Sequence, residues 1–102
     1  MLFAVLFEDD EACANEVRSR YMRDHLDFLE RSASMVKAAG PLRQNEDAPA
    51  GGLWLVEAES RDAVDQLVRS DPFWPTGLRR SVRVLAWQQV FADGTRLLPV
   101  HA

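Results

Sequence analysis

The apolar run Leu2–Phe7, close to the start of the chain, constrains the fold more than any other segment. In an extended strand, consecutive apolar residues place apolar side chains on both faces. Such a strand is typical of the middle of a sheet that is covered on both sides. The acidic residues 8–11 end the strand and favour the beginning of a helix, because negative charge is stabilised at a helix N-terminus.

The next segment predicts a long helix from about Ala14 to Ala39. Gly40 can adopt a left-handed cap and Pro41 cannot continue a helix, so the helix is expected to stop there. At about 100° per residue, His25 lies in the middle of the apolar face of this helix. The apolar or aromatic residues within roughly 60° of it are Tyr21, Met22, Phe28, Leu29 and Val36.

The rest of the chain predicts shorter elements. Ser60 is a favourable N-cap for a second helix, and Pro72 disfavours helical dihedrals at Asp71, so that helix is expected to end near Ser70. Asp93-Gly94 predicts a tight hairpin turn. The remaining predicted elements are an edge strand at 42–45, a loop at 46–52, a strand at 53–59, an aromatic turn at 71–77, a strand at 81–91 and a last strand near 96–100.

The predicted element order is β-α-β-β-α-β with a C-terminal hairpin extension, which is an α+β, ferredoxin-like pattern. We expect a single domain over residues 1–102. In this topology both helices cover one face of the sheet. Because the strands at 2–7 and 81–91 are apolar on both faces, we expect a second copy of the chain to cover the other face in a homodimer.

Charge and motif content exclude several classes of protein. The net charge of −4 lacks the basic surface that sequence-independent nucleic-acid binding requires. Cys13 is the only cysteine, so no intrachain disulfide is possible, which fits a reducing compartment. The apolar start is too short for a signal peptide and no stretch is long enough to span a membrane, so we expect a cytoplasmic protein.

The sequence predicts no cofactor. It contains no GxGxxG, P-loop or GxSxG motif. A metal site is not predicted either, because Asp24 and Asp27 point away from the neighbouring His25 by roughly 100° or more on a helix.

His25 is the first candidate site residue. A histidine on a buried face must find a hydrogen-bond partner or line a pocket. Asp71 is the best candidate partner, because two antiparallel helices would bring the end of the second beside the N-terminal half of the first. One interpretation is a core histidine with a satisfied bond; the other is a general base or acid, since imidazole exchanges protons near neutral pH. Asp71 itself has a structural alternative as a turn residue before proline.

Several motifs, taken in their order along residues 2–87, resemble the YciI-like (YCII-related) family. These motifs are His25-Leu26 on an arginine-bearing helix, Ala39-Gly40-Pro41-Leu42, a Gly-led third strand, Asp71-Pro72-Phe73 followed by Gly77-Leu78, and a terminal strand with Trp87. The resemblance implies a dimeric α+β barrel with a pocket that contains His25 and Asp71. It also implies chemistry like that of one relative, a dehydrochlorinase of a chlorinated hydroxyhydroquinone that uses such a pair.

The chain departs from this family at one position. Many relatives carry an arginine three residues before the histidine, and that residue is Met22 here, with Arg20 and Arg23 on either side. The role of that arginine is therefore not transferred to this chain.

Four further residues are candidates for substrate binding. Phe73 and Trp74 could form the wall of a pocket for a flat ligand, or pack in the core. Arg18 lies two turns before His25 and could bind a substrate anion, or form a surface ion pair. Tyr21 could supply a hydroxyl, or simply pack.

The functional hypothesis is a small-molecule enzyme in which His25 and Asp71 perform acid–base chemistry on a small aromatic or cyclic substrate. Elimination, dehydrochlorination or isomerisation suits such a pair without a cofactor. The alternative is a non-catalytic module on the same scaffold that binds a small ligand or another protein. A solvent-reachable imidazole bonded to Asp71 would favour the enzyme, and an imidazole sealed among apolar atoms would favour a structural role.

Overall fold

A computed structural model describes residues 1–97 of the chain. It consists of two helices, a four-stranded antiparallel sheet and a small C-terminal hairpin. The elements are β1 Leu2–Asp9, α1 Ala14–Arg31, β2 Val36–Asn45, β3 Ala48–Glu57, α2 Arg61–Arg69, a 3-10 helix Trp74–Thr76, β4 Arg79–Ala86, β5 Phe91–Ala92 and β6 Thr95–Arg96. The prediction of an α+β fold with two helices and an antiparallel sheet is confirmed.

The strand order in the sheet is β2-β3-β1-β4, which is compatible with the ferredoxin-like topology. The apolar strand β1 therefore lies in the interior of the sheet, paired with β3 on one side and β4 on the other. This is the position that its apolar residues on both faces predicted.

Alternation along the strands separates a helix-covered face from an outer face. Phe3, Val5 and Phe7 of β1 are buried beneath the helices. They form one core with Trp54, Val56 and residues of both helices, among them Phe28, Val64, Leu67 and Val68. The second helix begins as predicted, because the Ser60 hydroxyl accepts a hydrogen bond from the backbone N–H of Ala63 at 3.1 Å.

The predicted end of the first helix at Ala39 is wrong. The helix ends at Arg31, and the chain turns through residues 32–35 into β2. Val36, expected on the helix face beside His25, pairs instead with Val56 of β3. Sheet pairing thus overrides a helical pattern of apolar residues. Pro41 is accommodated because β2 is an edge strand, where a missing N–H is tolerated.

The predicted loop at 46–52 is also wrong, because β3 begins at Ala48. Gly51 makes this possible: it has a φ of +88°, and a Cβ there would lie 1.9 Å from the carbonyl oxygen of Phe7. Only glycine allows the two backbones to approach this closely.

The C-terminal part of the fold differs from the prediction in length. β4 ends at Ala86 rather than at residue 91, because the N-terminal end of its partner β1 is reached at Leu2, whose carbonyl accepts the N–H of Trp87. The predicted tight turn at Asp93-Gly94 is present, with φ of 52° and 74°. The predicted last strand near 96–100 lies mostly outside the described residues.

The outer face of the sheet has no helix. Most of its side chains are apolar and partly exposed, although Arg83 lies opposite Leu6 on this face, and Leu85 and Trp87 are its most exposed apolar residues. The other outward apolar side chains are Leu2, Ala4, Leu6, Leu53 and Leu55. Within residues 1–97, neither helix has the length and apolar character needed to cross a membrane.

Candidate functional site

His25 and Asp71 meet beneath the end of α2. The Nδ1 atom of His25 lies 2.8 Å from Oδ1 of Asp71. Both residues are buried, with exposed fractions of 7% for His25 and 3% for Asp71. Because an ionised carboxylate can only accept hydrogen bonds, this contact fixes the proton of a neutral imidazole on Nδ1 and leaves Nε2 as the acceptor.

The turn after α2 positions the carboxylate. Asp71 follows the C-cap Ser70, and its Oδ1 also accepts the backbone N–H of Phe73 at 3.1 Å. Its main-chain carbonyl accepts the N–H of Trp74 at 2.8 Å. The side-chain bond to the residue two positions on is the usual Asx-turn, which is favoured in an Asp-Pro sequence. The turn and the imidazole therefore share one oxygen, so the turn geometry orients the carboxylate.

Two aromatic rings lie close to the imidazole. Phe73 stacks on the His25 ring with centroids 4.1 Å apart and an angle of 12° between the planes. The centroid of the Trp54 ring lies 6.1 Å from that of the imidazole, with an angle of 34° between the planes. Aromatic packing of this kind limits rotation of the imidazole and provides flat apolar surfaces.

A cavity of about 300 Å³ opens beside His25. This is at the lower end of the size range of small-molecule sites. Its lining combines helix α1, strands β2 and β3, and the aromatic turn. The lining residues are Arg18, Met22, His25, Leu26, Leu29, Ala39, Gly40, Pro41, Arg43, Gly52, Trp54, Phe73 and Arg79.

The free ring nitrogen of His25 is accessible from this cavity. Nε2 has no hydrogen-bond partner among residues 1–97. Within the same residues, the only buried side-chain nitrogen or oxygen without a partner is Nε of Arg79. Nε2 is therefore not sealed, and since His25 lines the cavity, a ligand there can reach it.

A second buried carboxylate, Asp9, binds two arginines that line the cavity. Asp9, at the end of β1, accepts from Nη2 of Arg18 at 2.7 Å and from Nη1 of Arg79 at 2.9 Å. The Asp9 side chain is fully buried, and those of Arg18 and Arg79 are 26% and 6% exposed. Two guanidinium groups against one carboxylate leave an excess of one positive charge in this cluster.

The structure brings four of the six predicted site residues to the cavity: His25, Asp71 through its bond to the imidazole, Phe73 and Arg18. Tyr21 and Trp74 do not line it. Tyr21 packs against the small core that contains Ala14 and Val17. Trp74 packs against the main core, with Arg69 above its ring at 5.7 Å.

Sequence reasoning missed Asp9, Arg79 and Trp54. Asp9 has the same alternation as Phe3, Val5 and Phe7, so the pattern did place a carboxylate on the buried face. A buried carboxylate requires a cationic partner. No comparable signal existed for Arg79, because the register between β1 and β4 shifts between Glu8 and Asp9 and thereby changes which residue of β4 faces inward.

In the part of the chain that the structure describes, no cluster of three His, Cys, Asp or Glu side chains is arranged to hold a metal ion. The polar groups of the cavity are an imidazole and guanidiniums, which suit proton transfer and anion binding.

Comparisons with known proteins agree with this architecture. The family model described as the YCII-related domain matches residues 1–88. Among solved structures, the chain is similar to 5-chloro-2-hydroxyhydroquinone dehydrochlorinase from Burkholderia phenoliruptrix AC1100, in complex with 2,5-dihydroxybenzoquinone. The match has 29% identity and a TM-score of 0.73, and covers 86% of this chain and 94% of that chain. No curated protein matches the chain.

Proposed function

The chain belongs to the YCII-related family, and we propose that it is a cofactor-independent lyase or isomerase of a small cyclic or aromatic molecule. In this proposal His25 is the general base or acid and Asp71 orients it. The observation that carries the proposal is the imidazole itself, which is bonded to Asp71 at 2.8 Å through Nδ1 and open to the cavity at Nε2.

The proposed chemistry follows from this arrangement. Nε2 accepts a proton from a hydroxyl or an acidic C–H group of the ligand, and Asp71 stabilises the imidazolium that forms. The electron pair of the broken bond then moves into the ring system. In an elimination a leaving group departs with its bonding pair, and in an isomerisation the imidazolium returns the proton to another atom.

The similar dehydrochlorinase supports the choice of substrate class. That protein acts on a chlorinated hydroxyhydroquinone and is seen with a flat dihydroxybenzoquinone. Phe73 and Trp54 are among the residues that line the cavity of the present chain, and aromatic and apolar lining of this kind suits a ring.

The test is turnover of a panel of hydroxylated cyclic compounds that includes 5-chloro-2-hydroxyhydroquinone, measured as chloride release or as a change of absorbance. His25→Ala and Asp71→Asn are expected to lower the rate about 10²- to 10⁴-fold while the fold persists. Asp24→Asn, an exposed carboxylate on the same helix, is the matched control and should keep the wild-type rate. Ligand binding without turnover in the wild type would favour the non-catalytic module instead.

We further propose that the chain forms a homodimer, a dimeric α+β barrel in which two outer sheet faces meet. The support is the apolar outer face described above, on which Leu85 and Trp87 are open to solvent. A single-domain chain in the cytoplasm remains our expectation. Sedimentation equilibrium should give twice the chain mass of 11.5 kDa. Leu55→Glu, which places a charge opposite Ala4 on this face, should give monomers, and a monomeric wild type would refute the stacked sheets.

A further inference from the structure

Arg79 is a buried arginine with most of its hydrogen-bonding capacity unused. Its side chain is 6% exposed, and within residues 1–97 it donates one side-chain hydrogen bond, from Nη1 to Asp9. A guanidinium has five N–H donors. Nε is fully buried without a partner, which is unusual because buried polar groups are normally satisfied.

The guanidinium is held in place on several sides. Its Cζ atom lies 4.0 Å from the centroid of the Phe7 ring and 5.5 Å from that of Phe73. At Gly52, which also lines the cavity, an added Cβ would lie 3.4 Å from Nη1. These contacts fix the position of the fork in advance, which lowers the entropic cost of binding a ligand.

One part of the fork is left available for a ligand. Nη2 of Arg79 has no partner in the described chain, yet it is not among the fully buried atoms, and Arg79 lines the cavity. Arg18 lines the same cavity and shares Asp9 with Arg79. Because Asp9 neutralises only one of the two cations, the cluster is complementary to one negative charge.

We infer that Arg79 and Arg18, held by Asp9, form a subsite for an anionic oxygen of the cavity ligand. The ligand class is a flat ring that carries an ionised hydroxyl or carboxyl group. Phe73 contacts both His25 and Arg79, so we place the ligand ring between the imidazole and the guanidinium. The choice of a ring as the ligand rests on the proposed function. The choice of a negative charge on that ring rests on the Asp9 cluster alone.

Isothermal titration calorimetry with 2,5-dihydroxybenzoquinone, whose acidic hydroxyls are ionised at neutral pH, tests the subsite. Hydroquinone, a neutral ring of similar size, is the comparison ligand. Arg79→Met is expected to weaken binding of the anionic probe about tenfold to a hundredfold, because a charge-assisted hydrogen bond is lost. Arg80→Gln removes the same charge from the exposed neighbouring residue and should change the Kd by less than about twofold.

Three results would overturn the inference. They are an unchanged Kd for the probe in Arg79→Met, the absence of saturable binding of the probe to the wild type, and equally tight binding of hydroquinone and the probe. If Arg79→Met does not fold, Arg79→Lys takes its place as the test of the subsite. It keeps a charge beside Asp9 but lacks the planar fork, so its Kd should rise about tenfold, and a wild-type Kd would exclude the subsite.

The subsite and the proposed function can fail separately. Normal turnover in His25→Ala would refute the role of the dyad and leave the anion subsite standing. A wild-type Kd of the anionic probe in Arg79→Met would refute the subsite and leave the dyad standing.

Discussion

Asp9 and Asp71 are both almost completely buried, but their partners differ in kind. Asp71 faces the imidazole of His25 and a backbone N–H. Asp9 faces the guanidinium groups of Arg18 and Arg79. An imidazole can gain and lose its proton near neutral pH, whereas a guanidinium is always charged in proteins. The first pair is thus suited to moving a proton, and the second cluster to holding a fixed charge.

The difference has a consequence for stability. A buried ion pair that loses one partner leaves an uncompensated buried charge. Removing Asp9 leaves two cations without a counter-charge, one of them almost fully buried. Removing the charge of Asp71 leaves an imidazole that can remain neutral. Asp9 should therefore matter more for folding, and Asp71 more for chemistry.

Asp9→Ala is expected to have the largest effect on stability. The free energy of unfolding should fall by about 3–5 kcal/mol, because the carboxylate that neutralises Arg79 is lost. Urea denaturation measures this, with Glu11→Ala, an exposed acidic residue two positions further on, as the control. A loss in Asp9→Ala no greater than in the control would show that the cluster is not a structural ion network.

Asp71→Asn should have a smaller effect on stability. The shape of the side chain is kept and one charge-assisted hydrogen bond weakens, so about 1–3 kcal/mol is expected. Nitrogen chemical shifts of the His25 ring in the same variant should change, because a neutral amide replaces the negative charge next to Nδ1.

Asp65→Asn is the control for that variant, because Asp65 forms only an exposed pair with Arg69 on α2. Its unfolding free energy should change by less than about 0.5 kcal/mol. Identical His25 ring spectra in the wild type and Asp71→Asn would mean that the aspartate does not control the imidazole.

Arg18→Gln should have the smallest effect on stability of the three. Arg18 is 26% exposed, and Asp9 keeps Arg79 as its partner after the change. A decrease of about 1 kcal/mol in unfolding free energy is expected by urea denaturation. A loss as large as that of Asp9→Ala would show that the two arginines do not share the neutralisation of Asp9.

The local signals in the sequence were the ones that predicted structure correctly. The run of consecutive apolar residues placed β1 in the interior of the sheet, Ser60 began α2, and Asp93-Gly94 formed a tight turn. The pairing of His25 with Asp71 was also predicted, because the order of the elements brings the end of α2 beside α1. In each case a short pattern or the topology was sufficient.

The errors in the predicted secondary structure arose where a contact with a distant segment competes with the local sequence pattern. Residues 32–39 have a pattern compatible with a helix, but β3 offers a pairing partner, and Val36 joins the sheet instead. The segment around Gly51 looked like a loop, yet glycine there allows close approach to Phe7 and extends the strand. Tertiary contacts of this kind outweigh local propensity, which is worth well under 1 kcal/mol per residue for most residue types.

The sequence by itself determined the element order, the two-faced apolar strand and the nearness of His25 to Asp71, because these depend on periodicity and on the direction of the chain. Only the tertiary structure decided that Trp54 and Phe73 lie next to the imidazole and that Arg79 turns inward beside Asp9. For Arg79 the physical reason is the shifted register between β1 and β4, which changes the inward-facing residue and cannot be inferred from either strand alone.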